Sequence, residues 1–125
     1  MAIKGIGIDI IEIERIREAI ERFDQKFLGK VFTRGEIQYC TRGKRYGFPE
    51  FAVRFAAKEA YSKAIGTGIL GLGRGNQGIK LTEVEIVNNS LGKPHLAIEG
   101  KIMENVHVSL SHSRDYAVAS VYVEE

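Results

Sequence analysis

The sequence predicts an α+β fold, with helices mainly in the N-terminal half and antiparallel strands in the second half. Three observations lead to this prediction. Apolar residues recur at helical spacing in the first half, alternating apolar residues dominate after residue 79, and an alanine-rich helix separates these regions. We therefore expect an antiparallel sheet with the long alanine-rich helix packed on it, in a single domain spanning residues 1–125.

The first elements are a strand, a helix and a group of shorter helices. Residues 3–11 alternate as a strand does, and residues 12–23 place isoleucines at helical spacing between Glu and Arg. Short helical segments are expected over 24–43, where Thr33 followed by Glu36 forms the pattern of a capping box.

The alanine-rich helix is predicted from Pro49 to Ile65, with proline near its start and Gly66 at its end. Residues 66–78 contain six glycines and are predicted to form a flexible loop. This loop is not a Walker P-loop, because it follows a helix and lacks the Gly-Lys-Ser/Thr sequence.

The second half is predicted to form two antiparallel strand pairs. Residues 79–87 and 94–98 flank a turn rich in Asn and Gly, and residues 106–112 and 116–123 flank a shorter turn. Helices followed by antiparallel strands complete the α+β pattern.

Composition excludes several classes of protein. With 44% apolar and 27% charged residues, the chain of 125 residues can build a core and is not expected to be disordered. One cysteine, Cys40, excludes a disulfide framework and a cysteine-rich zinc site. Apolar runs are far shorter than the ~20 residues of a membrane span, and no signal peptide follows Met1. We expect a cytoplasmic protein that binds no membrane.

Basic residues are concentrated between residues 26 and 58. This segment has eight basic and two acidic residues, whereas residues 66–125 have five basic and seven acidic. The segment either steers an anionic ligand or acidic protein toward the chain, or is an ordinary solvated helix surface. Nucleic acid is not expected as a partner, because no nucleic-acid motif accompanies the charge.

Asp9 is the first candidate functional residue. Aspartate is depleted in strands, yet Asp9 lies in a run of isoleucines. Gly5 and Gly7 share its face of the strand, and we expect them to leave room for a ligand. The alternative is that Asp9 caps the following helix or lies at a solvated edge. A dinucleotide fingerprint is excluded, because Ile10 occupies its third glycine position.

Glu59 is the second candidate. On a helical wheel it lies between Phe55 and Ala52, where a carboxylate is costly unless a positive group meets it. Lys63 can provide that group as an ordinary helix pair. The functional alternative is that Glu59 binds a metal ion.

A polar stripe of Arg54, Lys58 and Ser62 adjoins Glu59 on the wheel. A carboxylate beside cationic side chains suits a metal-bound phosphate ester. Two oxygen ligands, Asp9 and Glu59, favour magnesium over zinc, since magnesium is commonly completed by water and substrate phosphate.

His112 ends a predicted strand just before a turn. A Ser-His hydrolase is excluded, because Ser111 and His112 point to opposite faces and no Gly-x-Ser-x-Gly elbow is present. His112 is either a donor to phosphate or carbonyl, or a structural turn residue.

Three segments of the chain, taken together, resemble a known family. Residues 5–16 (GIGIDIIEIERI), 54–66 (RFAAKEAYSKAIG) and 109–113 (SLSHS) are similar to the holo-acyl-carrier-protein synthases, which are small 4′-phosphopantetheinyl transferases. Gly92-Lys93-Pro94 fits the same pattern. The similarity extends over essentially the whole chain.

The resemblance implies transfer of 4′-phosphopantetheine from coenzyme A to a serine of apo acyl carrier protein, in fatty acid biosynthesis. It implies that Asp9 and Glu59 hold Mg²⁺ and that Lys63 and His112 take part in catalysis. It further implies a nucleotide site lined by Arg54, Lys58, Ser62, Lys63, Gly66, Pro94 and His112.

The resemblance also implies a homotrimer with active sites between subunits, and carrier-protein binding through Arg15, Arg17 and Arg22. The base that takes the serine proton stays open among a metal-bound water, Glu59 and His112. Two other functions are considered: a non-enzymatic module that binds acidic carrier proteins or nucleotides, and a generic nucleotide phosphatase.

Overall fold

The computed structural model describes residues 2–43, 45–69 and 78–125. Lys44 of the basic segment and residues 70–77 of the predicted glycine-rich loop lie outside the described residues. The elements in chain order are β1 (Ile3–Glu12), α1 (Ile13–Phe23), α2 (Gln25–Val31), α3 (Arg34–Cys40), α4 (Phe48–Ile65), a 3₁₀ turn (Leu81–Glu83), β2 (Val84–Asn88), β3 (Pro94–Ile98), β4 (Lys101–Ile102), β5 (Val106–His112) and β6 (Tyr116–Glu124).

The first sheet joins the two ends of the described chain. Its strand order is β1-β6-β5, all antiparallel, with Asp9 opposite Ala119 and Ala119 opposite Leu110. The inward face of β6 is formed by alternate small or branched residues that are at most 5% exposed: Ala117, Ala119, Val121 and Val123. This alternation is the period of two that a half-buried strand requires.

A second sheet in the described residues has the order β2-β3-β4. The expectation of one antiparallel sheet is therefore refined to two three-stranded sheets, and the α+β class with mainly N-terminal helices is confirmed. The predicted strand over 79–87 begins only at Val84. Its first part is instead a 3₁₀ turn, in which the carbonyl of Leu81 accepts a hydrogen bond from Lys58 Nζ at 2.9 Å.

Helix α4 packs on the first sheet through small side chains. Ala52, Ala56, Ala57 and Ala60 are completely buried, so the backbone of the helix lies very close to its neighbours. The helix ends at Gly66, whose φ of 81° is a left-handed conformation that glycine adopts without strain.

Gly5 and Gly7 face α4, which contradicts the expectation that they open the strand to a ligand. A Cβ atom added to Gly5 would lie 1.9 Å from the carbonyl oxygen of Ala64, and one added to Gly7 would lie 1.8 Å from that of Ala60. The two glycines therefore allow a close approach of helix to strand.

The N-terminal helices cover the other side of α4. Ile13, Ile16 and Ile20 of α1 are buried, as their helical spacing predicts. The capping box at the start of α3 is confirmed, with Thr33 Oγ1 accepting from Glu36 N and Thr33 N donating to Glu36 Oε1. Among the described residues, no helix combines the length and apolar character needed to cross a membrane.

Candidate active site

Asp9 lies where β1 passes beneath the C-terminal half of α4. Its Oδ1 accepts a hydrogen bond from Lys63 Nζ at 2.9 Å, and the same ammonium donates to the carbonyl of Ile8 at 3.1 Å. The Asp9 side chain is 14% exposed. Asp9 does not cap α1, because Glu12 occupies the N-cap position and makes no side-chain cap there.

Glu59 faces the same place from α4. Its pKa is raised above the usual value, first by burial and then by the negative charge of Asp9, while the nearby Lys63 ammonium partly opposes this rise. Asp9 and Glu59 line the same cleft. The structure therefore brings the two carboxylates together, and Lys63 pairs with Asp9, where a Glu59–Lys63 helix pair was the alternative.

The two carboxylates open into a cleft of about 380 Å³ between β1, α1, α2 and α4. Apolar side chains and one arginine form the rest of the cleft. Its lining residues are Asp9, Ile10, Ile11, Arg15, Ile16, Ala19, Phe27, Phe55 and Glu59. Phe55 lies beside Glu59, as the helical wheel indicates, whereas Phe27 was not anticipated, since an aromatic residue in a short helix is equally typical of a core.

The donor set of this cleft fits magnesium. Among residues 2–43, 45–69 and 78–125, no group of three or more His, Cys, Asp or Glu side chains is placed to hold a metal. Asp9 and Glu59 instead offer two carboxylates as hard oxygen ligands, with one ammonium group, that of Lys63, bound to Asp9. Magnesium is usually bound by one or two carboxylates, with water and substrate phosphate as its remaining ligands.

Lys58 lies on a different side of α4 from Glu59, and its contacts contradict the role predicted for it in the nucleotide site. It is 0% exposed, and its ammonium group donates to Val31 O at 2.7 Å, Glu36 Oε1 at 2.6 Å and Leu81 O at 2.9 Å. An ammonium group has three donors, and all three are used inside the protein. The expectation that Lys58 contacts coenzyme A is therefore wrong.

The partner of Lys58 could not be found from sequence. Glu36 was identified through its capping box with Thr33, but its Oε2 also accepts from the backbone N–H of Ile86 at 2.7 Å. One carboxylate thus joins α3, α4 and β2. Burial lowers the pKa of the Lys58 ammonium, and the negative charge of Glu36 opposes this shift.

Arg54 is 2% exposed and is hydrogen-bonded to the start of the turn that precedes Pro94. Its Nη atoms donate to the carbonyl of Glu50 and to Asn88 Oδ1, and Asn88 is the strand partner of Pro94. The guanidinium group also stacks over the ring of Tyr39 at 4.4 Å. Arg54 Nε has no acceptor within the described part of the chain. Arg54 and Pro94 are therefore neighbours, away from the Asp9 cleft.

Ser62 and Gly66 lie near the C-terminal end of α4. Ser62 Oγ donates to the carbonyl of Glu59 at 2.7 Å, and the side chain is buried. Gly66 is exposed, and a Cβ atom there would meet no atom of the described residues within 4 Å. As far as these residues are concerned, the backbone at Gly66 can be approached from outside.

His112 is not brought to the carboxylate pair within one chain. It ends β5, which is separated from β1 by β6, and strand spacing places it roughly 12 Å from Asp9 along the sheet. His112 Nδ1 lies 3.2 Å from the carbonyl oxygen of Ser113, to which it can donate a hydrogen bond.

The three predicted partner-binding arginines of α1 divide between two faces. Arg15 lines the Asp9 cleft, and Arg22 lies two turns further on the same face. Arg17 lies on a different face and forms ion pairs with Glu14 and Glu21. Within the chain its charge is already balanced.

Comparison with known proteins agrees with the fold. The sequence model of the 4′-phosphopantetheinyl transferase superfamily matches residues 5–121. This chain therefore belongs to that superfamily of transferases, as the resemblance indicated.

Its relatives include holo-[acyl-carrier-protein] synthases of bacteria. The enzyme from Ruminiclostridium cellulolyticum is 47% identical over 91% of this chain and 87% of its own length. A solved synthase from Bacillus anthracis in complex with CoA (3′,5′-ADP) superposes with a TM-score of 0.79 at 38% identity, covering 98% of this chain and 97% of that one. The synthase from Neisseria meningitidis has a TM-score of 0.82 at 31% identity, over 99% and 100% of the two chains.

Proposed function

We propose that this protein transfers the 4′-phosphopantetheine arm of coenzyme A to a serine of apo acyl carrier protein in a Mg²⁺-dependent reaction. The observation that carries this proposal is the meeting of Asp9 and Glu59 in one cleft beside Lys63. The relatives named above support the substrates. We further propose that residues 1–125 act as one catalytic domain, in the cytoplasm and in fatty acid biosynthesis.

Asp9 and Glu59 would hold the Mg²⁺ ion. When bound, Mg²⁺ would supply charge neutralisation to the pyrophosphate of coenzyme A. Phosphoryl transfer depends mainly on alignment and electrostatic stabilisation, so few other groups are needed from the protein. Lys63 is half-exposed, and its ammonium group can donate to a phosphate oxygen at the mouth of the cleft.

The attacking serine must lose a proton, and Glu59 is a candidate base only while it does not hold Mg²⁺, because a bound cation lowers the proton affinity of a carboxylate. His112 remains an alternative base or phosphate donor if a second copy of the chain brings it to the cleft.

A homotrimer with shared active sites would bring His112 of one copy to the cleft of another. Four isoleucines on the outer face of β1 are between 56% and 65% exposed: Ile3, Ile6, Ile8 and Ile10. An exposed apolar stripe of this kind is typical of a protein interface. This exposed stripe is the feature of the chain that supports the proposed trimer. In such a trimer, the nucleotide site would be lined by Arg54, Ser62, Gly66 and Pro94.

Arg15 and Arg22 would receive the acidic carrier protein. They share the α1 face that borders the cleft, so positive charge lies beside the reacting groups. Charge of this kind raises association rates and is screened by salt.

The test is a transfer assay followed by mass spectrometry of the carrier. Incubation with coenzyme A, Mg²⁺ and apo acyl carrier protein should add the mass of the arm to the carrier. Asp9→Asn and Glu59→Gln should each lower turnover by roughly a hundredfold or more. Glu104→Gln, at an exposed carboxylate outside the cleft, is the matched control and should leave the rate unchanged.

Three results would contradict the proposal. Carrier binding without a covalent product would indicate a non-enzymatic module. Release of inorganic phosphate from nucleotides without a protein acceptor would indicate a phosphatase. Wild-type rates in both cleft variants would contradict the assignment of Asp9 and Glu59 to the metal.

A further inference from the structure

We propose that Gly5 and Gly7 are positioning residues, whose missing side chains set the distance between β1 and α4 and thereby the separation of Asp9 from Glu59. This inference rests on the proposed metal-binding role of the two carboxylates. It concerns residues that do not themselves touch metal or substrate.

The contact between strand and helix leaves no room for a side chain. A Cβ atom on Gly7 would lie 1.8 Å from the carbonyl oxygen and 2.8 Å from the carbonyl carbon of Ala60. Both are backbone atoms of α4, so no side-chain rotation relieves the overlap. Because real Cβ atoms practically never lie closer than 3.0 Å to another heavy atom, strand and helix would have to separate there by about 1.2 Å.

This separation would reach the carboxylates directly. Asp9 follows Gly7 by two residues on the same face of β1, and Glu59 immediately precedes Ala60 on α4. A shift between Gly7 and Ala60 therefore moves one carboxylate relative to the other. The hydrogen bond from Lys63 to Asp9 spans the same two elements and would lengthen with it.

Backbone conformation does not explain the two glycines. Both lie in the extended strand, and neither has the positive φ that favours glycine at Gly66 or Gly92. An alanine could adopt the same backbone angles. The requirement at Gly5 and Gly7 is therefore for space alone.

The experiment compares Gly7→Ala and Gly5→Ala with two controls. Gly29→Ala is the matched control, because a Cβ atom at Gly29 meets nothing within 4 Å. Leu96→Ala, in the second sheet, is a control for lost stability, because it opens a cavity at a residue that is 0% exposed. Binding of Mn²⁺, followed by electron paramagnetic resonance without substrate, reports on the carboxylate pair independently of turnover.

We expect Gly7→Ala to weaken Mn²⁺ binding roughly tenfold or more, since displacements of about 1 Å have large effects on preorganised sites. The Mg²⁺ concentration needed for half-maximal transfer should rise by a similar factor. Gly29→Ala should match wild type, and Leu96→Ala should lose stability in urea unfolding while keeping its Mn²⁺ affinity.

The outcomes separate the two levels of the proposal. If wild type binds Mn²⁺ no better than Asp9→Asn, the proposed metal role fails and the inference fails with it. If wild type binds through Asp9 but folded Gly7→Ala binds equally well, only the positioning inference is overturned. Should Gly7→Ala not fold, Gly5→Ala decides the question: its contact lies at Ala64, one residue before the end of α4, and unchanged Mn²⁺ affinity in the folded variant would overturn the positioning role.

Discussion

Replacing Lys58 with methionine should destabilise the fold without removing a substrate contact. The change leaves the Glu36 carboxylate fully buried without its cation, which typically costs about 3–5 kcal/mol. It also removes the donors to the carbonyls of Val31 and Leu81. Urea unfolding followed by circular dichroism measures the loss.

A double-mutant cycle tests the cause of this loss. Glu36→Gln should cost about 3–5 kcal/mol, because it leaves the Lys58 ammonium buried without its anion. One of the backbone N–H groups of Thr33 and Ile86 also loses its acceptor. The variant with both changes buries no charge at either position, so it should be more stable than the sum of the single losses predicts, by about 0.5–3 kcal/mol.

Additive losses, or a loss below about 1 kcal/mol for Lys58→Met alone, would refute the buried ion pair as the reason for Lys58. If Lys58 contacted the nucleotide instead, Lys58→Met would affect substrate binding and not stability. In that case Lys58→Met would raise the KM for coenzyme A and leave the urea midpoint unchanged.

Three further predictions concern other parts of the molecule. Burial raises the pKa of the Cys40 thiol to about 12 from an ordinary 9.0, so unfolded chains lose this proton at lower pH than folded chains do. Between these two pKa values the free energy of unfolding should therefore fall by about 1.4 kcal/mol per pH unit. Cys40→Ala should remove this contribution to the pH dependence of stability measured by urea unfolding. Ile8→Asp, on the exposed face of β1, should shift the proposed trimer to a monomer in analytical ultracentrifugation, and an unchanged mass would exclude this face as the interface. Arg15→Glu should raise the KM for carrier protein several-fold at low salt, whereas Arg17→Glu, at a position already paired within its own helix, should change it much less.

Sequence reasoning predicted the elements that depend on local pattern. The period of two identified β1 and β6, and proline and glycine gave the approximate ends of α4. Asp9 and Glu59 were singled out because each is a carboxylate in an apolar context, and the structure places both in one cleft. Their roles at the metal stay predictions.

Sequence reasoning failed where the outcome depends on distant partners. Lys58 and Lys63 lie on the same helix and have the same chemistry, yet one is buried against Glu36 and the other reaches Asp9. No local rule indicates which side of α4 will be covered by α3 and β2. For a similar reason, sequence reasoning could not tell that β6 lies between β1 and β5 and separates His112 from Asp9 within one chain. The role of His112 in the site stays a prediction.

The central position of β6 has a consequence for folding. This strand follows the other described elements in the chain, yet both β1 and β5 hydrogen-bond to it, and α4 packs on its inward alanines. The first strand therefore has no sheet partner until a segment more than 100 residues later pairs with it. Because pairings between residues so distant in sequence must close a long loop first, we expect this sheet to form late and slowly in folding.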